Sequence, residues 1–146
     1  MTRIYVASSW RNMLQQAVVR ILRAARFEVY DFKNPPNNAG FGWEQVDLKR
    51  NADDQSCASE YLDALETPRA VEGFNTDMDA MKRADIFVLV LPCGRSAHLE
   101  LGWAIGMGKK TTVLLDDPCT PELMYKMVDH LSPNMVDLLG WLGIGD

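Results

Sequence analysis

The sequence predicts an α/β fold built on a parallel sheet, and three observations carry that expectation. Ile86–Leu91 is a continuous apolar run, the pattern of a central strand covered on both faces. Arg3–Ala7 and Thr111–Leu115 are two further short, β-rich runs. Between such runs lie segments whose apolar residues recur at helical spacing. Strands alternating with helices imply right-handed crossovers between parallel strands. The expected architecture is therefore a flavodoxin-like or Rossmann-like three-layer α/β/α sandwich with a four- or five-stranded parallel sheet.

The elements follow in order. Arg3–Ala7 is the first strand and turns at Ser8–Ser9 into an amphipathic helix, with Leu14, Ala17, Val18, Ile21, Leu22 and Ala25 on one side and Arg20 and Arg23 on the other. Phe27–Tyr30 is a second strand. Residues 33–56 hold Pro35-Pro36 and few apolar residues, and a loop this long reads as a binding loop or a lid. Ser56 to Ala84 is helical with an interruption near Pro68. Ala97–Met107 is a helix between the strands Ile86–Leu91 and Thr111–Leu115. Pro121–Leu131 and Met135–Leu142 are read as two last helices.

The chain has 146 residues, the size of one compact domain, so residues 1–146 are taken together. A net charge of −5 argues against nucleic acid or an anionic membrane as partner. The sequence starts directly on a strand, and no run approaches the roughly 20 apolar residues of a membrane span. Three scattered cysteines form neither a disulfide framework nor a zinc pattern, which points to a reducing cytoplasm. Nothing in the sequence calls for a metal or another cofactor.

In parallel α/β sheets ligands sit beyond the carboxyl ends of the strands, at the topological switch point. That rule selects Ala7–Asn12, the 31–55 loop and Pro92–Glu100. Ser96 is read as an N-cap, which leaves Glu100 about one turn inside the helix with its carboxylate leaning back toward the crevice. The rest of that helix is apolar nearly all round, and Gly102 and Gly106 at i, i+4 allow another backbone to approach. Its second face reads as a homodimer contact. Glu100 is a charge amid this surface; a capping role or a pair with Arg95 is the plain alternative to a catalytic one.

In the preceding helix Glu72, Thr76, Asp79 and Arg83 form a solvated stripe, while Phe74, Met78 and Met81 mark the expected buried side. Asp77 shares that buried side, as a structural or a functional carboxylate. Paired carboxylates suit glycosidic chemistry, where one attacks the anomeric carbon and the other helps the leaving group depart.

The turn Ser8-Ser9-Trp10-Arg11 combines hydroxyls, a guanidinium and a helix N-terminus, a phosphate cradle or an ordinary capped turn. Gly94, Arg95 and Ser96 supply a possible second anion contact. Phe41 and Trp43 are stacking partners for a base or anchors for their own loop. Tyr5 alternates with Ile4 and Val6 and reaches either the crevice or the core. His98 and His130 stand alone and read as structural. Cys93-Gly94-Arg95-Ser96 lacks the arginine of a phosphatase loop, Gly108-Lys109-Lys110 is not a P-loop, and the first strand is not followed by G-x-G-x-x-G.

On these residues the sequence resembles the nucleoside 2-deoxyribosyltransferase family, which includes nucleoside 5′-monophosphate N-hydrolases. The likeness covers roughly residues 3–115. It rests on Ile4-Tyr5-Val6 and its Ser-rich turn, on Asp77 with Ala84-Asp85-Ile86, and on Leu99-Glu100-Leu101-Gly102-Trp103-Ala104 with Gly108-Lys109. The resemblance implies a flavodoxin-like homodimer or higher oligomer acting on a small nucleoside or nucleotide. It implies that Glu100 forms a glycosyl-enzyme intermediate, that Asp77 contacts sugar or base, that Tyr5 orients Glu100, and that Ser9 and Arg11 bind phosphate. One departure stands out. Transferases carry an Asp six residues before the nucleophile, where this chain has Gly94, and that favours a phosphorylated substrate. An NAD glycohydrolase, as in TIR-type domains, and a non-catalytic nucleotide-binding protein are the alternatives.

Overall fold

The computed structural model describes residues 1–37 and 40–145, so the expected 33–56 loop includes two residues, Asn38 and Ala39, outside those described. The chain divides into two compact units, Met1–Asp31 with Met81–Asp146, and Phe32–Ala80.

The first unit holds a five-stranded, all-parallel sheet of β1 (Arg3–Ala7), β2 (Glu28–Asp31), β3 (Ile86–Val90), β4 (Lys110–Leu114) and β5 (His130–Ser132), in the order β2-β1-β3-β4-β5. That is the strand order of flavodoxin-like sandwiches, and it reverses direction between β1 and β3. Alternation along the strands sorts side chains to two faces. Ile4, Val6, Val29, Ile86, Val88, Val90 and Leu114 pack with Val18, Val19 and Leu22 of α1 (Gln15–Ala24) and with Leu138 of α5 (Met135–Trp141). Tyr5, Phe87 and Leu89 point to the other face, where α4 (Arg95–Gly106) packs on β1, β3 and β4 and buries Ala97, Leu101 and Ala104. Every residue of β3 is buried, as its unbroken apolar run requires. Each fully buried Val, Leu or Ile here contributes about 1.5–3 kcal/mol.

Helix α4 ends in a Schellman cap. Gly108 takes a φ of 73°, with its N–H on the Ile105 carbonyl and the Lys109 N–H on that of Ala104. The Lys109 ammonium then donates to the carbonyls of Lys82 (2.8 Å) and Ala84 (2.6 Å), closing the end of α3 (Pro68–Arg83). The Gly-Lys pair thus has a structural task.

The second unit contains α2 (Ala58–Leu65), the body of α3 and a 3-10 turn at Trp43–Val46. Thr67 explains the break at Pro68: its hydroxyl accepts the Ala70 N–H at 3.3 Å, and proline sits at the first helical position, where no N–H is needed.

Three expectations are corrected. Pro121–Leu131 is not a helix but a 3-10 turn at Leu123–Met127 followed by β5. The Glu122 carboxylate accepts the Met124 N–H and Asp129 accepts the Thr111 N–H at 2.8 Å, which draws the chain to the free edge of β4. Leu123, Met124 and Met127 are exposed. Helix α4 begins at Arg95 with Gly94 as N-cap, so Ser96 lies in its first turn. Phe74 is 56% exposed; the buried line of α3 is Ala70, Gly73, Ala80 and Met81, with Asp77 half-buried along it. Within the single chain Leu99 is 75% and Met107 60% exposed, on the side of α4 read as a homodimer contact. Among the described residues no helix is long and apolar enough to cross a membrane.

Candidate active site

Tyr5 is fully buried, and its hydroxyl donates to Oε2 of Glu100. The sheet register dictates how its ring is held. Tyr30 and Phe87 are its direct neighbours on β2 and β3, and their rings stack on it at 5.2 Å and 5.0 Å between centroids. Phe87 in turn contacts Trp103 of α4 at 6.1 Å. Each such pair contributes about 0.5–1.5 kcal/mol beyond its buried area, so the phenol is rigidly placed. Glu100 is half-buried, and its Oε2 accepts the Tyr5 hydroxyl.

Beside β1 and β3, at the switch point, a cavity of about 290 Å³ is lined by Ser9, Arg11, Asn12, Pro92 and Cys93. Arg11 has no acidic partner among the described residues, and Trp10 is half exposed. Ser8 differs from its neighbours: it is buried, and its hydroxyl donates to the Val90 carbonyl at 2.8 Å, bracing the turn against β3. Gly94, Arg95 and Ser96 are exposed at the start of α4.

Across Pro92 and Cys93 lies a second cavity of about 260 Å³, lined also by Leu91, His98, Asp116, Thr120, Pro121, Glu122 and Tyr125. Cys93 stands between the two. Burial first, and then the negative charges of Glu100 and Asp116, push its thiol up to about 12. It is therefore a neutral thiol at neutral pH and a poor nucleophile. His98 lies 3.8 Å from it but is no base for it. Its Nδ1 donates to the Gly94 carbonyl at 2.7 Å, since a carbonyl only accepts, and Nε2 receives the Tyr125 hydroxyl at 2.7 Å. His98 had shown no partner in the sequence; it latches the start of α4 to the segment after β4. Burial, with Cys93 and the nearby acids, raises the Tyr125 phenol, so it remains the donor.

Asp77, Phe41 and Trp43 belong to the second unit. There Phe41 meets Trp43 edge-on at 5.0 Å, Trp43 meets Tyr61 at 5.8 Å, and Arg69 lies over the Phe41 ring while donating to the Gly40 carbonyl. The structure thus joins Tyr5 to Glu100 and places Ser9 and Arg11 on one cavity. Sequence reasoning missed Asn12, although an asparagine at a strand-to-helix turn is a cap signal.

No family model matches the chain, and no curated protein does. Solved structures do. The 2-deoxyribosyltransferase of the psychrotolerant bacterium Bacillus psychrosaccharolyticus is 18% identical, with a TM-score of 0.57 over 94% of this chain and 90% of that one. The CMP N-glycosidase BcmB of Clostridium botulinum is 16% identical, with a TM-score of 0.53 over 98% of this chain and 100% of that one. The family resemblance read from the sequence is thus met by structure: this chain has the fold of a 2-deoxyribosyltransferase and of a CMP N-glycosidase.

Proposed function

We propose that the chain cleaves the N-glycosidic bond of a nucleoside 5′-monophosphate, with Glu100 as nucleophile. The observation that carries this reading is the buried Tyr5 hydroxyl fixing the Glu100 carboxylate, in a chain folded like two enzymes of nucleosides and nucleotides. Glu100 attacks the anomeric carbon as the bond to the base breaks. The bonding electrons leave with the base nitrogen, and the base takes up a proton. Water then attacks the glycosyl ester, gives up its proton, and frees Glu100; a second base in place of water would make the same chain a transferase. Asp77 contacts the sugar or base in this reading, with Phe41 and Trp43 as stacking partners. Ser9 and Arg11 take the phosphate, helped by Arg95 and Ser96. Gly94, without a side chain, is where the transferases' aspartate would stand.

The assembly is proposed to be a homodimer or higher oligomer. The outer side of α4 supports it: Leu99 is exposed, and a Cβ added at Gly102 or Gly106 would meet nothing within 4 Å.

The test is base release from CMP, dCMP and the corresponding nucleosides, followed by chromatography. Arg11→Ala is expected to raise KM for the monophosphates about tenfold or more, the scale of a lost charge-assisted bond, and to leave the nucleosides alone. Equal effects on both substrate types would remove the phosphate from the reading. Release of nicotinamide from NAD, with none from the nucleotides, would move the activity to the NAD glycohydrolases.

A further inference from the structure

We infer that Asn12 is a positioning residue, one that sets the register between the phosphate-binding turn and the helix of the nucleophile; the inference rests on the functional reading above. Asn12 is 5% exposed and lies where β1 gives way to α1. Its Oδ1 accepts the N–H groups of Leu14 (2.8 Å), the N-cap residue of α1, and of Gln15 (3.0 Å), its first residue, and so holds the start of the helix. Its Nδ2 donates to the carbonyls of Val90 (3.2 Å) and Pro92 (3.0 Å), at the end of β3 and just beyond it. Its own N–H closes the turn on the Ser9 carbonyl at 3.1 Å. An asparagine side chain has two N–H donors and an acceptor with two lone pairs, and these four bonds use them all.

Capping alone does not explain an asparagine here. Serine and aspartate cap a helix as well. Only the amide adds two donors, and those two reach the neighbouring strand. Aspartate would set a carboxylate against two carbonyl oxygens, and serine is too short to span to them. The bridged segments are the ones the reaction needs in register. One carries Ser9 and Arg11; the other runs from Pro92 through Cys93 into α4 and so to Glu100. A substrate anchored by its phosphate on the first segment presents its anomeric carbon to Glu100 only if the second keeps its place. Misplacement by about 1 Å costs on the order of a hundredfold in rate. A nucleoside without phosphate is not anchored on the turn and does not sense this register.

Asn12→Ser keeps the cap and the charge but loses the bridge, and Asn12→Thr does the same with a larger side chain should the serine variant fold poorly. Both would be checked by circular dichroism and melting, then assayed for base release from CMP and dCMP against cytidine and deoxycytidine. The expected result is a fall in kcat on the monophosphates of about tenfold to a hundredfold, with KM little changed and the nucleosides unaffected. Where the wild type turns over only monophosphates, the kcat–KM split decides: a raised KM with intact kcat overturns the proposal. With an active wild type, equal losses on both substrate types, or no loss, overturn it alone. A folded wild type that releases no base from any of the four compounds overturns the functional reading and this proposal together.

Discussion

At the residue scale the Tyr5–Glu100 bond and Cys93 make the sharpest predictions. Tyr5→Phe keeps the stacked ring and removes only the hydroxyl. Losing a hydrogen bond to a charged group costs about 1.5–3 kcal/mol, so kcat is expected to fall roughly tenfold to a hundredfold. Steady-state kinetics with unchanged near-ultraviolet circular dichroism would check it. The cysteines offer a pH test. Cys57 is exposed and its thiol is lowered by the hydrogen bond with Ser59 at 3.1 Å, whereas Cys93 is raised. A thiol-specific reagent near pH 8 should label Cys57 first and Cys93 last, read by peptide mass spectrometry. The raised Cys93 means the folded chain holds this proton more tightly than the unfolded one. Its contribution to stability is full below about pH 9 and declines as pH rises toward about 12, so melting temperature should fall over that window, less so in Cys93→Ala. The Tyr5–Glu100 bond was legible only through the family resemblance, because strand alternation left Tyr5 open to crevice or core and helical phase left a plain alternative for Glu100. The partners of His98 and Asn12 were not, because those bonds join residues far apart in the chain, such as His98 with Tyr125 and Asn12 with Val90.

At the scale of elements, strands β1 to β4 and helices α1, α4 and α5 were legible because each is defined by its own apolar period. Strand β5 was hidden. It has three residues, and its pairing depends on Asp129 binding the Thr111 N–H and on the buried Thr112–Ser132 hydroxyl contact at 3.0 Å. The helix read over Pro121–Leu131 gave way to those long-range bonds. In the second unit, α3 passes close to its own loop. A Cβ added at Gly73 would stand 2.7 Å from Cβ of Phe41, so Gly73→Ala must displace Phe41 and, through their edge contact, Trp43. A loss of about 1–3 kcal/mol is expected from such overpacking. A shift of the Trp43 signal in fluorotryptophan-labelled protein would confirm it, and an unshifted signal would contradict the contact.

For the whole molecule, α/β class, parallel sheet and layer order followed from the order of elements alone. The division did not: although composition changes just after Asp31, the boundary at Ala80 falls inside α3. The proposed oligomer belongs to this scale. If the exposed side of α4 is its interface, Leu99→Glu should halve the mass in analytical ultracentrifugation without lowering the helix content, whereas an unchanged mass would place the contact elsewhere. The central claim is that Glu100 breaks an N-glycosidic bond. It is tested most directly by chromatographic base release from CMP, dCMP and their nucleosides, comparing wild type with Glu100→Ala. The account predicts release by the wild type and a loss of about three orders of magnitude or more in the variant. Release that survives in Glu100→Ala, or a folded wild type that releases nothing, would contradict it.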